Sequence, residues 1–196
     1  MSEVRIDAYG ADPAGQGRST QALQAAIDAA SEAGGGTVVV PPGTYLIGTI
    51  RLRSHVHLRL EHGSRLLASQ HEADYLEESE GHIEPEFPYV RCLFVGFDVE
   101  DVSFSGGGVV DGNGRAFMRY EEPTFRQLFT REAYGSMPEA RRHEYVAEHA
   151  GWRPTWIFFL RRSRDLRFQD FRIEDVSRWT FRFSCCDGIW FSRMHI

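Results

Sequence analysis

The carboxylates available for acid–base chemistry in the second half of the chain are Asp111, Asp165, Asp170, Glu174, Asp175 and Asp187. Most read as loop or turn positions. Three histidines in the first half, His55, His57 and His62, could ligate a metal, because residues two apart on a strand point the same way. Exposed strand histidines are the commoner reading, so no metal is assigned. Asp111-Gly112-Asn113-Gly114 lacks the alternating oxygen ligands and terminal glutamate of a calcium loop. It reads instead as a tight turn whose glycines permit positive φ. The Gly106–Gly108 run is not followed by Gly-Lys-Ser/Thr and is no phosphate loop. No cofactor is implied.

The elements that must position these groups repeat. Val102, Phe104 and Val109 sit at offsets 0, +2 and +7, as do Leu166, Phe168 and Ile173, and then Ile189, Phe191 and Ile196. Short apolar strands returning at a period of about 20–50 residues mark a stacked solenoid. β-Branched and aromatic residues at alternating inward positions make it a β-solenoid, whose long side wall suits an extended polymer.

Charge is divided along the chain. Residues 153–196 carry 9 Arg against 5 Asp/Glu, whereas the whole chain has a net charge of −6. A basic C-terminal portion attracts an acidic polymer, or is simply a solvated strand surface. All 22 basic residues are arginine, and Asn113 is the single asparagine, which points to a GC-rich genome. Cys92, Cys185 and Cys186, an odd count with an adjacent pair, do not form a disulfide framework. Cys186 reads as a small buried hydrophobe. The longest run of large apolar residues, Trp156 to Leu160, is too short to span a bilayer. No apolar signal segment opens the chain, which favours the cytoplasm, or secretion if a leader was removed.

Along the chain, residues 19–33 read as a helix that Ser19 or Thr20 can cap and Gly34-Gly35-Gly36 ends. Leu23, Ala26, Ile27 and Ala30 give it one apolar face. Thr37–Val40 is a strand stopped by Pro41-Pro42-Gly43, and short strands follow near 49–52, 56–60 and 65–68. The helix would cover the open end of the solenoid. Two insertions interrupt the repeat, at about 70–90 and 115–152, the second with Phe125, Leu128 and Phe129 on one helical face. Insertions in solenoids gather on one side, often the binding side.

Taken in order, these motifs resemble glycoside hydrolase family 28, the polygalacturonase-like branch of the pectate-lyase-like superfamily. The likeness runs through Tyr9-Gly-Ala-Asp12, Gly34-Gly-Gly-Thr-Val-Val-Val-Pro-Pro-Gly-Thr-Tyr45, Thr49 to Gly63, Asp74-Tyr75, Phe104 to Gly114, Arg153-Pro154, Trp179-Thr180 and Cys186. It covers nearly the whole chain. It implies an all-β, right-handed, single-stranded parallel β-helix with an N-terminal capping α-helix. Residues 1–196 would be the N-terminal part of that single domain, apparently truncated. The implied activity is hydrolysis of α-1,4 galacturonide bonds in pectic poly- or oligosaccharides with inversion. Such chemistry needs one carboxylic acid and one carboxylate ~6.5–9.5 Å apart.

The departures bear on that activity. Phe117 and Met118 stand where the family commonly has two tryptophans, and Arg182-Phe183 where it often has His-Pro. The chain ends at Ile196, before the family's Asn-Xaa-Asp, Asp-Asp, His-Gly and Arg-Xaa-Lys motifs, so no catalytic residue is assigned. The chain alone is expected to be inactive. Arg153, Trp156, Trp179 and Arg182 are the expected substrate contacts: arginine can grip a uronate carboxylate in bidentate fashion, and tryptophan offers a flat face to a sugar ring. The long insertions and the missing leader favour exo action on imported oligosaccharides. The expected partner is a pectic galacturonide, not nucleic acid or membrane. Ile189, Phe191, Met194 and Ile196 would leave an apolar end face prone to end-to-end self-association. A non-catalytic carbohydrate-binding or relic β-helix is the alternative. A polysaccharide lyase is a further one, though no acidic calcium-ligand cluster is evident.

Overall fold

The computed structural model describes residues 2–76, 91–119, 148–149 and 152–196. Three stacks of parallel strands form its walls. Sheet A joins β1 (Ser2–Arg5), β3 (Gly36–Val40), β6 (Val56–Leu60), β9 (Glu100–Gly106), β14 (Arg164–Gln169) and β17 (Asp187–Ser192). Sheet B joins β2 (Ala14–Arg18), β4 (Gly43–Ile47), β7 (Ser64–Ala68), β10 (Val109–Asp111) and β15 (Arg172–Glu174). Sheet C joins β5 (Ile50–Arg51), β8 (Cys92–Phe97), β13 (Trp156–Arg161) and β16 (Trp179–Ser184). The chain visits A, B and C in turn, and each full circuit from β3 onward adds one strand to every wall: a right-handed parallel β-helix. An antiparallel pair, β11 (Met118–Arg119) with β12 (Glu148–His149), stands outside the walls.

The interior is a column of phenylalanines. Phe94, Phe158 and Phe181 stack along sheet C at 4.8 and 5.1 Å between centroids. Phe104, Phe168 and Phe191 repeat the arrangement along sheet A at 5.8 and 5.3 Å. The two columns meet edge to face, as at Phe104–Phe158, 4.9 Å, the arrangement aromatic quadrupoles favour. The expected strand repeat holds here, since Val102, Leu166 and Ile189 are register partners across three coils, as are Phe104, Phe168 and Phe191. The third repeat position is corrected by one residue: Val110, not Val109, pairs with Ile173. The turn Gly106-Gly107-Gly108 carries one residue more than Asp170-Phe171 in the next coil, which displaces the first copy.

At the N-terminal end, α1 (Thr20–Glu32) turns Leu23, Ala26, Ile27 and Ala30 onto the core and packs against β1, β3 and β5. The expected hydroxyl cap is absent. Ser19 Oγ accepts the amide of Asp12 at 3.0 Å, and Thr20 Oγ1 accepts that of Gly48 at 2.8 Å, so both tie the helix to its neighbours instead. The strand β4 also follows Pro41-Pro42 directly, where only a turn was read. In Asp111–Gly114 the positive φ belongs to Asn113 (51°), whose Nδ2 donates to the carbonyl of Ala68 at 2.9 Å. The flanking glycines serve a different need: a Cβ on Gly114 would lie 2.6 Å from the carbonyl oxygen of Asp175 in the next coil. The face of Phe125, Leu128 and Phe129 lies outside the described residues, as do most of the two insertions.

Left-handed backbone recurs at the corners, at Asp98, Arg162 and Cys185 between sheets C and A, and at Gly106, Asp170 and Arg193 between A and B. Acid–arginine pairs join these corners from coil to coil. Arg162 grips Asp98 with both nitrogens at 2.7 and 2.6 Å, and Arg193 grips Asp170 at 2.5 and 2.8 Å. The bound guanidinium holds each carboxyl below its ordinary pKa. Asp12 is held low by the amides of Gly17, Ala14 and Gln16. A carboxylate whose pKa is lower folded than unfolded stabilises the fold fully above the unfolded value, about 3.9, and that contribution disappears as pH falls through the folded value. Thermal melts should therefore be level from neutral pH to about 4.5 and fall steeply below about 4. A melting temperature that rose on acidification through that range would contradict the role of these pairs.

Candidate functional site

Sheet C differs from its companions on its outer face. Outward positions align across coils in three rows: Cys92, Trp156 and Trp179; then Arg51, Val95, Phe159 and Arg182; then Phe97, Arg161 and Ser184. The alternation is broken in both middle strands: Leu93 with Phe94, and Ile157 with Phe158, enter the inner core, which sets Cys92 and Val95, and Trp156 and Phe159, on the outside. The result is an apolar strip of Cys92, Val95, Trp156 and Phe159 outside the barrel, with arginines around it. The long B-to-C connections, the segments that carry the two insertions, lead into the starts of β8 and β13, the two middle strands of sheet C.

Of the four expected contact residues, the structure brings Trp156 and Trp179 together, with ring centroids 5.4 Å apart and planes 25° apart. Trp156 is only 5% exposed and also stacks on Phe159 at 5.6 Å. It therefore supports Trp179 from beneath and is not itself an open platform, a correction to the expectation. Trp179, at 42% exposure, is the part of the stack that reaches solvent. Arg182 stands in the next row beside Phe159, on the same outer face. Arg153 lies at the sheet's edge, where its Nη1 donates to the carbonyl of Ser177 at 2.7 Å.

Arg178 was not singled out from the sequence. Its guanidinium carbon lies 4.0 Å over the centre of the Trp179 ring, well inside cation–π range. The available signal was its position immediately before an outward-facing tryptophan, but a lone surface arginine there reads as a solvated charge. Burial, and then repulsion from Arg178, lowers the Arg153 pKa from its ordinary value; burial alone lowers that of Arg178. Two cations thus crowd one end of the outer face. Behind them, Trp152 packs edge-on against Tyr75 at 5.1 Å and Phe117 at 5.2 Å, joining successive connections.

Five of the six carboxylates noted in the sequence are engaged in the frame. Asp111 and Glu174 pair with Arg65, Asp170 with Arg193, Asp175 accepts the amide of Arg115, and Asp187 accepts that of Gly188. Among the described residues, none of the three rows on the outside of sheet C holds an Asp or Glu. Of the histidines, His55 and His57 both approach Asp101, and His62 stands apart. His55 is not on the strand but in the preceding turn at φ 62°, near Glu100 and Asp101; His57 bonds Ser103 at 3.0 Å; His62 lies over Gly107 at another corner. Among the described residues no cluster of three or more such groups is placed to hold a metal, and no helix is long and apolar enough to cross a membrane. A concavity of about 930 Å³ at the A–B corner is bordered by Arg59 and Arg193, which are already paired with Glu3 and Asp170.

Coils and cap together make a parallel β-helix, and the chain is similar in sequence to a galacturonosidase and in fold to an exopolygalacturonase. A family model described as rhamnogalacturonase A/epimerase, pectate lyase-like, matches residues 4–59. The chain is 37% identical over 120 residues to plasmin and fibronectin-binding protein A of Streptococcus pneumoniae, covering 57% of this chain and 15% of that protein. It is 30% identical over 119 residues to exo-poly-α-D-galacturonosidase of Dickeya chrysanthemi, covering 57% of this chain and 19% of that one. Among solved structures, the exopolygalacturonase of Thermotoga maritima superposes with a TM-score of 0.70 at 19% identity, over 98% of this chain and 46% of that enzyme. The chain thus spans less than half the length of each of these relatives.

Proposed function

We propose that this β-helix belongs to a glycosidase that hydrolyses α-1,4 galacturonide bonds of pectic oligosaccharides by single displacement with inversion, acting from chain ends. The observation that carries this reading is the outer face of sheet C, where the exposed Trp179 and the half-buried Arg182 share one strand of a rigid wall. Exo action is supported by the named activities of the Dickeya and Thermotoga proteins. In this reading the 196 residues furnish the binding wall. The acid–base pair, ~6.5–9.5 Å apart in inverting enzymes, belongs to the coil that follows β16 and β17 in the resembled family. The test is product analysis with the polypeptide of the complete reading frame. Release of galacturonate alone, first in the β configuration, is expected. Retained configuration, mixed oligomers or unsaturated products absorbing in the ultraviolet would each overturn the corresponding part.

Arg182→Ala should weaken galacturonide binding about tenfold or more, since a charge-assisted hydrogen bond contributes about 1.5–3 kcal/mol. Titration calorimetry would read the change, and unaltered affinity would remove Arg182 from the site. A second reading, a non-catalytic binding β-helix, is favoured by the 37% identity to a pneumococcal protein named for binding. Tight binding of oligogalacturonide with no turnover by the complete polypeptide would select it.

A further inference from the structure

We propose that the outer face of sheet A carries a site for a neutral sugar ring, with Trp190 as its platform and the Asp165 carboxylate as the acceptor of its hydroxyls. This wall is separate from the one that holds Trp179 and Arg182, and the site does not depend on the reading of sheet C. Three left-handed positions stack at the starts of β9, β14 and β17: Asp101 (φ 53°), Asp165 (φ 56°) and Gly188 (φ 61°). The third breaks the acidic column. A Cβ on Gly188 would lie 2.9 Å from Cη2 of Trp190 and 3.2 Å from Oδ1 of Asp165. The missing side chain thus gives the indole room to lie along its strand beside the carboxylate. Arg167 supports the ring from the preceding coil, 5.3 Å from its centre, and is itself held by Asp101 at 2.9 Å. Trp190 still keeps 51% of its surface in solvent.

Asp165 is the sixth of the carboxylates noted above, the one that the frame does not engage. It is half-buried, yet no hydrogen bond or ion pair holds it among the described residues. A carboxylate so placed has its acceptor capacity unused, and hydroxyl donors meet it in short, charge-assisted bonds. The cations nearby are occupied: Arg167 by Asp101, Arg164 by Glu100 and Arg193 by Asp170. An acidic ligand therefore finds no free cation here and is repelled by Asp165, whereas a wholly apolar one leaves Asp165 without a donor. A neutral pyranose answers both demands, with its C–H face on the indole and its hydroxyls at the rim. One row along the strands, the register partners Gln169 and Ser192 add an amide and a hydroxyl. Gln169 also borders the concavity at the A–B corner, so the surface continues for a second sugar unit.

The experiment titrates two neutral probes, galactotetraose and cellotetraose, and the acidic tetragalacturonate into the polypeptide of the complete reading frame. At least one neutral probe should bind, with an affinity indifferent to salt because no ion pair forms. Trp190→Ala should weaken that binding about tenfold or more, and Trp190→Phe, which keeps a ring, about threefold or less. Both variants should keep the parent's tetragalacturonate affinity and melting temperature, which shows the fold intact. Tetragalacturonate should not displace the neutral probe from the parent, but should do so from Asp165→Asn, where the repelling charge is gone. Binding of neither neutral probe, or binding that survives Trp190→Ala, would overturn the sugar site and leave the galacturonide reading standing. Displacement by tetragalacturonate from the parent would overturn the assignment to neutral sugars. A parent that binds no neutral probe and forms a dimer lost in Trp190→Ala would give the face to a second copy of the chain instead. Neutral binding that depends on Trp190, with no binding of tetragalacturonate, would uphold this site and overturn the galacturonide reading.

Discussion

Phe158→Ala should destabilise the protein by about 3–5 kcal/mol, the usual range for removing a fully buried phenylalanine. Phe158 is completely buried and touches four other rings at close range: Phe94 at 4.8 Å, Phe104 at 4.9 Å, Phe181 at 5.1 Å and Phe168 at 5.3 Å. The truncation removes both the stacked and the edge-on contacts of the interior columns, and rigid sheets on all sides limit collapse into the space. The measurement is urea unfolding, read as a lower midpoint with an unchanged slope. Phe191→Ala is the internal control. Phe191 is 49% exposed, so its removal should cost less than half as much. Equal costs would show that the column is not where the stability resides.

Gly106→Ala should cost about 2–5 kcal/mol, with two separable causes. Gly106 sits at φ 100°, and a Cβ there would run into the carbonyl of Leu60 in the coil below. That same carbonyl accepts the amide of Gly108 at 3.1 Å, so a shift that relieves the clash breaks an inter-coil hydrogen bond. Gly10→Ala isolates the first cause. Gly10 has φ 82° but nothing within 4 Å of a built Cβ, so only the backbone penalty, about 1–2 kcal/mol, should appear. If the two substitutions destabilise equally, close approach of the coils is not what demands glycine at 106.

The walls of this fold were legible because their signal is local: β-branched and aromatic residues at alternate positions, repeated in Val102-Ser-Phe104, Leu166-Arg-Phe168 and Ile189-Trp-Phe191. The third position failed because a single extra glycine changes a corner without changing its composition. Likewise, Asp111–Gly114 was correctly read as a turn but for the wrong reason. Glycine preference reports both φ and proximity, and only the second depends on a distant residue, here Asp175 in the next coil. The outer face was legible in Trp179 and Arg182, which share a strand. The support given by Trp156 and the cation on the Trp179 ring were not, since neither burial nor ring contact follows from residue type. The corner pairs were equally hidden. Nothing in the sequence links Asp98 to Arg162, and both read singly as surface charges.

Those corner pairs carry a consequence for how the molecule assembles. Asp98 and Arg162 are 64 residues apart and Asp170 and Arg193 are 23 apart, yet each pair closes one step between neighbouring coils with the same two-nitrogen grip. The entropy of bringing chain ends together grows only with the logarithm of length, so the longer circuit costs about 1 kcal/mol more than the shorter. That difference is within the worth of a single good contact. The lengthened circuits can therefore gain or lose residues with little thermodynamic penalty to the stack. Their toll falls on the search, because a distant strand must find its partner before any ladder bond forms. Each added residue should slow the docking of β13 onto β8 more than it weakens the docked state.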